Sequence, residues 1–134
     1  PSEVLDRALS TQLGKPLAKE RWAGVVDSVG SHTLANACAS TRYGGTVAAC
    51  GLAQGMDFPG SVAPFILRGV TLAGIDSVYC PGDRRPAVWV RLARDLAPQV
   101  IASMAEAVSL ERAIPAAQNL LAGKVSGRLV VDLR

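Results

Sequence analysis

The order of the apolar runs predicts an α/β fold built on a mostly parallel sheet. Short β-rich runs alternate with longer Ala- and Leu-rich stretches, the pattern of repeated strand–helix–strand units. The first run, WAGVV from Trp22, is continuously apolar, as in a strand covered on both faces. At 134 residues, 49% hydrophobic and 19% charged, the chain can bury the core of one domain, and intrinsic disorder is excluded.

Taken in order, residues 1–5 could form a short strand ending at Asp6 and Arg7. The first clear strand is 22–29. Ser31 then reads as an N-cap, and Leu34, Ala35, Cys38 and Ala39 fall on one helical face before Gly44 and Gly45 stop the helix. A second buried strand, 46–50, runs into Gly51 and a loop of small residues. A short helix over 61–68 has Pro64 in its first turn and ends at Gly69. Val70 opens and Ile75 closes the third strand, followed by Asp76 and Ser77. Pro81 and Gly82 break the chain, and Asp83 is a plausible cap for a helix to about Leu96, with Val88, Leu92, Ala93 and Leu96 as its apolar stripe. A helical stretch over 99–106, a strand over 107–110, a helix over 111–122 stopped by Gly123 and a last strand over 128–133 complete the chain.

Several function classes fall away on composition. The net charge of +3 is spread without a basic run, which argues against a nucleic-acid surface. The longest uncharged stretches, 28–41 and 43–56, are short of the roughly 20 residues a membrane helix needs. Cys38, Cys50 and Cys80 form no CxxC and flank no histidine, so neither a metal site nor a disulfide scaffold is expected. Reduced, buried thiols in the cytoplasm are the expectation. With Pro1 first and no signal-peptide pattern, the chain reads as a processed protein or a piece of a longer one, and the piece is favoured.

Ligands of open parallel sheets sit outside the carboxyl ends of the strands. That rule selects Arg7, the segment 27–30, the segment 51–55, and Asp76 with Ser77. A guanidinium at Arg7 would suit a phosphate, although alone it reads more simply as a solvated charge. Asp27, inside an apolar run, needs a hydrogen-bond partner. His32 reads as surface or packing, Cys50 as a buried structural thiol, and the cluster Asp83, Arg84, Arg85 as a solvated helix start. GxGxxG, GxxxxGK[ST] and GxSxG are all absent. The residues alone therefore describe a piece of a nucleotide-type sheet without its phosphate-binding turn.

SEVLDR at 2–7, WAGVVDSVG at 22–30, YGGTVAACGLAQG at 43–55, PFILRGVTLAGIDSV at 64–78 and GKVSGRLVVDL at 123–133 together resemble the C-terminal part of the medium-chain dehydrogenase/reductase superfamily. The similarity is to its zinc-independent acryloyl-CoA reductase branch, often called quinone oxidoreductase. The resemblance implies the second half of a Rossmann doubly wound parallel sheet, residues 1–106. It also implies a returning helix and strand, residues 107–134, that complete a GroES-like catalytic domain. A parent about two and a half times as long would carry, outside this chain, the Gly-rich turn, the catalytic residues and most of the walls of the substrate pocket.

The same resemblance implies NADPH as cofactor, no metal, and an enoyl-CoA thioester or a quinone as small-molecule substrate. Arg7 would hold the adenosine 2′-phosphate. Leu52 would lie on the nicotinamide side, with Ile66 and Ser77 also lining the cofactor. A family contact near the end of the last helix, often Asn, aligns with Ala122 and Gly123 and is not carried over. A homodimer through the edge strand Val70 to Ile75 is implied as well. The competing reading is a non-catalytic assembly module of the same fold.

Overall fold

The computed structural model describes every residue except Pro1, Ser2, Arg7, Leu9, Thr11 and Arg134. Chain contacts divide it into two compact units, 1–79 and 80–134.

The first unit contains β1 (Trp22–Asp27), α1 (Ser31–Ser40), β2 (Thr41–Ala49), α2 (Ala63–Arg68) and β3 (Thr71–Gly74), with a parallel sheet in the order β1-β2-β3. Its core forms where α1 and α2 cover the sheet: Leu34, Cys38, Val47 and Val70 are buried, and Val25, Ala49 and Phe65 pack against them. The four α1 positions expected on one face, Leu34, Ala35, Cys38 and Ala39, are all buried. The second unit contains α3 (Arg85–Asp95), α4 (Pro98–Ser103), β4 (Ala105–Ser109), a 3₁₀ turn (Leu110–Arg112), α5 (Ala113–Leu121) and β5 (Arg128–Asp132). β4 and β5 pair in parallel. Among the described residues no helix is long and apolar enough to cross a membrane.

Several sequence expectations need correction. Residues 3–6 take no regular structure: among the described residues they join neither sheet, and a strand exists only through its ladder bonds. Gly44 and Gly45 do not stop α1. The helix ends at Thr41, whose buried hydroxyl donates to the Ala37 carbonyl at 2.8 Å, and both glycines lie inside β2. They sit in an irregularity of the ladder: two steps along β1, Trp22 to Gly24, are matched by five along β2, Thr41 to Thr46. A β-carbon on Gly45 would stand 2.7 Å from the Ala23 carbonyl oxygen, so the close approach of the two strands there requires glycine.

Ser31 is not the N-cap. Gly30 takes that position, and its carbonyl accepts the first helical bond, from the Leu34 N–H at 3.2 Å. Asp83 does not cap α3 either, since a turn in which Arg84 and Arg85 both donate to the Pro81 carbonyl carries the chain past it. No residue of α3 is buried, its predicted stripe included, because a helix buries its apolar side only against a partner element. β4 begins at Ala105 rather than 107, since its five-residue register with β5 runs from Ala105 opposite Arg128 to Ser109 opposite Asp132.

Arg68 ties the first unit together. Its Nη1 donates to the Ala39 carbonyl at 2.9 Å and its Nη2 to the Ala18 carbonyl at 2.7 Å. Its Nε lies 3.4 Å from Glu20, whose other oxygen accepts the Tyr43 N–H. One guanidinium thus satisfies a late carbonyl of α1 and links it to the approach segment of β1.

Candidate functional site

The carboxyl ends of β1, β2 and β3 lie side by side, and the loops that leave them are braided by backbone bonds. Cys50 N donates to the Asp27 carbonyl at 2.8 Å, Ile75 N to the Ala49 carbonyl at 2.9 Å, and Gln54 N to the Val29 carbonyl at 2.8 Å. Asp27, 3% exposed, accepts the N–H of Gly30 at 2.9 Å and of Val29 at 3.3 Å on one oxygen. Its carboxylate therefore shapes the turn into α1, the loop role that its place in an apolar run calls for. The same charge helps push the nearby Cys38 thiol up to about 11, after the larger effect of burial.

Between these ends runs an open groove of about 450 Å³ lined by Ala49, Cys50, Gly51, Leu52, Gly74, Ile75 and Asp76. Four of these seven lining residues, Ala49, Cys50, Gly51 and Gly74, are small. A β-carbon at Gly74 would meet nothing within 4 Å, whereas one at Gly51 would overlap the backbone of Ser28. The groove can thus take a flat apolar group against backbone, while Gly51 is needed for packing. Asp76 does not offer a free oxygen pair, since Oδ1 accepts both Val78 N and Tyr79 N at 3.0 Å.

Of the residues selected from sequence, Leu52 lines this groove and is largely exposed. Ser77 follows the groove residue Asp76 directly and is exposed. Ile66 stands on α2, 74% exposed and outside the groove lining. Arg7 lies outside the described residues. Cys50 is corrected from a buried thiol to an exposed one: β2 ends one residue before it, and its Sγ donates to the Asp27 carbonyl at 3.3 Å. His32, in the first turn of α1, has its Nδ1 buried without a hydrogen-bond partner. Among the described residues no group of His, Cys, Asp and Glu is arranged to hold a metal ion.

Sequence reasoning selected the segment 51–55 but missed what attaches it to α1: the side-chain bonds of Gln54, and Asp57 just beyond the segment. Gln54 Oε1 accepts from Thr33 N at 3.2 Å and from Thr33 Oγ1 at 3.0 Å. Asp57 Oδ2 accepts from Ser31 Oγ at 3.1 Å. These pairs join residues 21 and 26 positions apart, so no local motif announces them.

A parallel sheet with a groove at its carboxyl edge is the architecture of the Rossmann portion of medium-chain oxidoreductases, and comparison with known proteins agrees. No protein-family model matches the chain. YhfP of Bacillus subtilis, named as a quinone oxidoreductase, is 48% identical over 120 residues, 89% of this chain and 36% of YhfP. The acrylyl-CoA reductase AcuI of Ruegeria pomeroyi is 44% identical over 119 residues, 89% of this chain and 36% of AcuI. The solved yhdH oxidoreductase of Salmonella enterica, in complex with NADP, superposes with a TM-score of 0.91 at 42% identity, over 97% of this chain and 40% of that one. Over most of its length this chain is thus similar to proteins named quinone oxidoreductase and acrylyl-CoA reductase. It spans little more than a third of the length of the curated relatives it matches.

Proposed function

We propose that the whole protein to which this sequence belongs is an NADPH-dependent oxidoreductase that reduces an α,β-unsaturated acyl-CoA thioester of the acryloyl-CoA type. The observation that carries this reading is the small-residue groove at the strand ends, in a chain 44% identical to an acrylyl-CoA reductase. The groove residues fit a nicotinamide cofactor, since the lining at Gly74 leaves space for a planar ring. When bound, NADPH supplies a hydride for the β-carbon of the unsaturated thioester. This chain's part is binding and orientation: Arg7 pairs with the adenosine 2′-phosphate, and Leu52 shields the nicotinamide side from water. Ile66 and Ser77 flank the cofactor. In this reading residues 1–106 belong to the cofactor domain and 107–134 to the returning segment of the catalytic domain. Three unpaired cysteines suit a cytoplasmic enzyme.

A quinone is the second substrate reading, favoured by the 48% identity to YhfP. The test is NADPH oxidation by the complete protein with acryloyl-CoA and, separately, with 1,4-benzoquinone. Turnover with acryloyl-CoA to give propionyl-CoA is expected; turnover with the quinone alone moves the assignment to the second reading. A folded protein that oxidises NADPH with neither refutes both. The 134-residue chain by itself is expected to be inert, because transition-state stabilisation needs groups outside it.

A further inference from the structure

We propose that Gln54 and Asp57 are positioning residues: they clasp the loop bearing Leu52 to the first turn of α1 and so fix the wall of the groove that meets the nicotinamide. The proposal rests on the cofactor reading above and goes beyond it by assigning residues that touch no ligand. The loop contains Gly51, Ala53 and Gly55, which offer little side chain for anchoring, and Leu52 between them is largely exposed. Besides the backbone bond of Gln54 N to the Val29 carbonyl and the Gly30–Gly55 bridge, its side-chain anchors are made to α1. The Gln54 carboxamide oxygen takes both the backbone N–H and the hydroxyl of Thr33, and Asp57 takes the hydroxyl of Ser31. Ser31 is the only described non-glycine residue with positive φ, at 47°, so the Asp57 bond also holds an uncommon backbone conformation in place.

A loop released from these anchors has to be ordered again whenever a ligand contacts Leu52, and that entropy is subtracted from affinity. A ligand that does not reach the loop escapes the cost. The two halves of the cofactor therefore report separately. In the complete protein, Gln54→Ala and Asp57→Ala are expected to raise the NADPH Kd and KM roughly tenfold. Binding of adenosine 2′,5′-bisphosphate, which lacks the nicotinamide, is expected to stay within about twofold. Gln54→Glu keeps an acceptor oxygen for Thr33 and restores NADPH binding. Thr33→Val removes the hydroxyl without changing shape, and is the variant to read if an alanine variant does not fold; its NADPH loss is expected to be about threefold, again without effect on the bisphosphate.

Equal weakening of both ligands would mean that the residues act on the fold, and unchanged NADPH binding would mean that the clasp does nothing; either overturns the proposal. Leu52→Ala separates this failure from that of the cofactor reading. If Leu52→Ala weakens NADPH while the clasp variants do not, only the clasp is wrong. If Leu52→Ala changes neither ligand, the nicotinamide assignment falls and takes the clasp with it.

Discussion

Gly30 and Gly55 pair as an isolated parallel bridge, so closely that a β-carbon on Gly30 would stand 2.6 Å from the Gly55 carbonyl oxygen. Gly30 also has φ 76° and ψ −163°, a conformation essentially reserved for glycine. Gly30→Ala is therefore expected to cost at least about 2 kcal/mol, from backbone strain and a displaced loop together. Gly44, at φ 68° with nothing within 4 Å of its β-carbon position, isolates the strain contribution. Gly44→Ala is expected to cost about 1 kcal/mol. Urea unfolding of the two variants of the complete protein checks this, and equal losses would show that the Gly30–Gly55 approach is not tight in solution.

What the sequence made legible here was periodic or local. Leu34, Ala35, Cys38 and Ala39 share a face at helical spacing, and Gly69 ends α2 in the left-handed conformation, at φ 57°. Gly44 and Gly45 misled because the same dipeptide that stops a helix also serves where two strands come unusually close, and only the Gly45–Ala23 contact distinguishes the two. Ser31 misled because the helix starts one residue earlier than a serine cap would require: Gly30 is the N-cap, Ser31 is already the first residue of α1, and its hydroxyl donates to Asp57, 26 positions away. The rule about strand ends selected the segment 51–55 and the family resemblance pointed to Leu52 within it, whereas the bonds of Gln54 and Asp57 depend on the folded loop.

Cys38 gives stability a specific dependence on alkaline pH. Its thiol is 1% exposed, and burial foremost, with Asp27 second, raises its pKa from 9.0 to about 11. Between these values the unfolded chain loses the proton and the native protein keeps it, so stability falls as pH rises. The contribution is complete below pH 9, and about 2 to 3 kcal/mol of it is lost by pH 11. The difference in unfolding free energy between the parent and Cys38→Ala, followed from pH 8 to 11, isolates this from other groups that titrate there. A constant difference across that range would refute it.

Arg7 is proposed to distinguish the phosphorylated cofactor. Loss of a charge-assisted pair with the 2′-phosphate is expected to cost about 1.5–3 kcal/mol, roughly ten- to a hundredfold in NADPH affinity. Arg7→Ala in the complete protein should leave NADH affinity almost unchanged, since NADH has no group at that position. Titrating both cofactors by the quenching of protein fluorescence decides the matter. Equal loss for the two would place Arg7 at a shared part of the dinucleotide or in the fold.

We further propose that two copies associate through β3. This strand pairs with β2 on one side and stands at the edge of the three-stranded sheet. It is short and carries no charge, TLAG, so nothing in it discourages pairing with an identical strand across a two-fold axis. Leu72 is 36% exposed, partly available to a second copy. Non-specific adhesion by the exposed apolar residues of α2 is the competing explanation, and one substitution tells them apart. Leu72→Lys puts a charge where the two strands would meet, so a specific dimer becomes a monomer in sedimentation velocity, whereas adhesion elsewhere persists. Because Leu72 also sits opposite Val47 in the ladder, the circular dichroism of the variant must match the parent for the result to count. A folded variant that remains dimeric would exclude β3 as the interface.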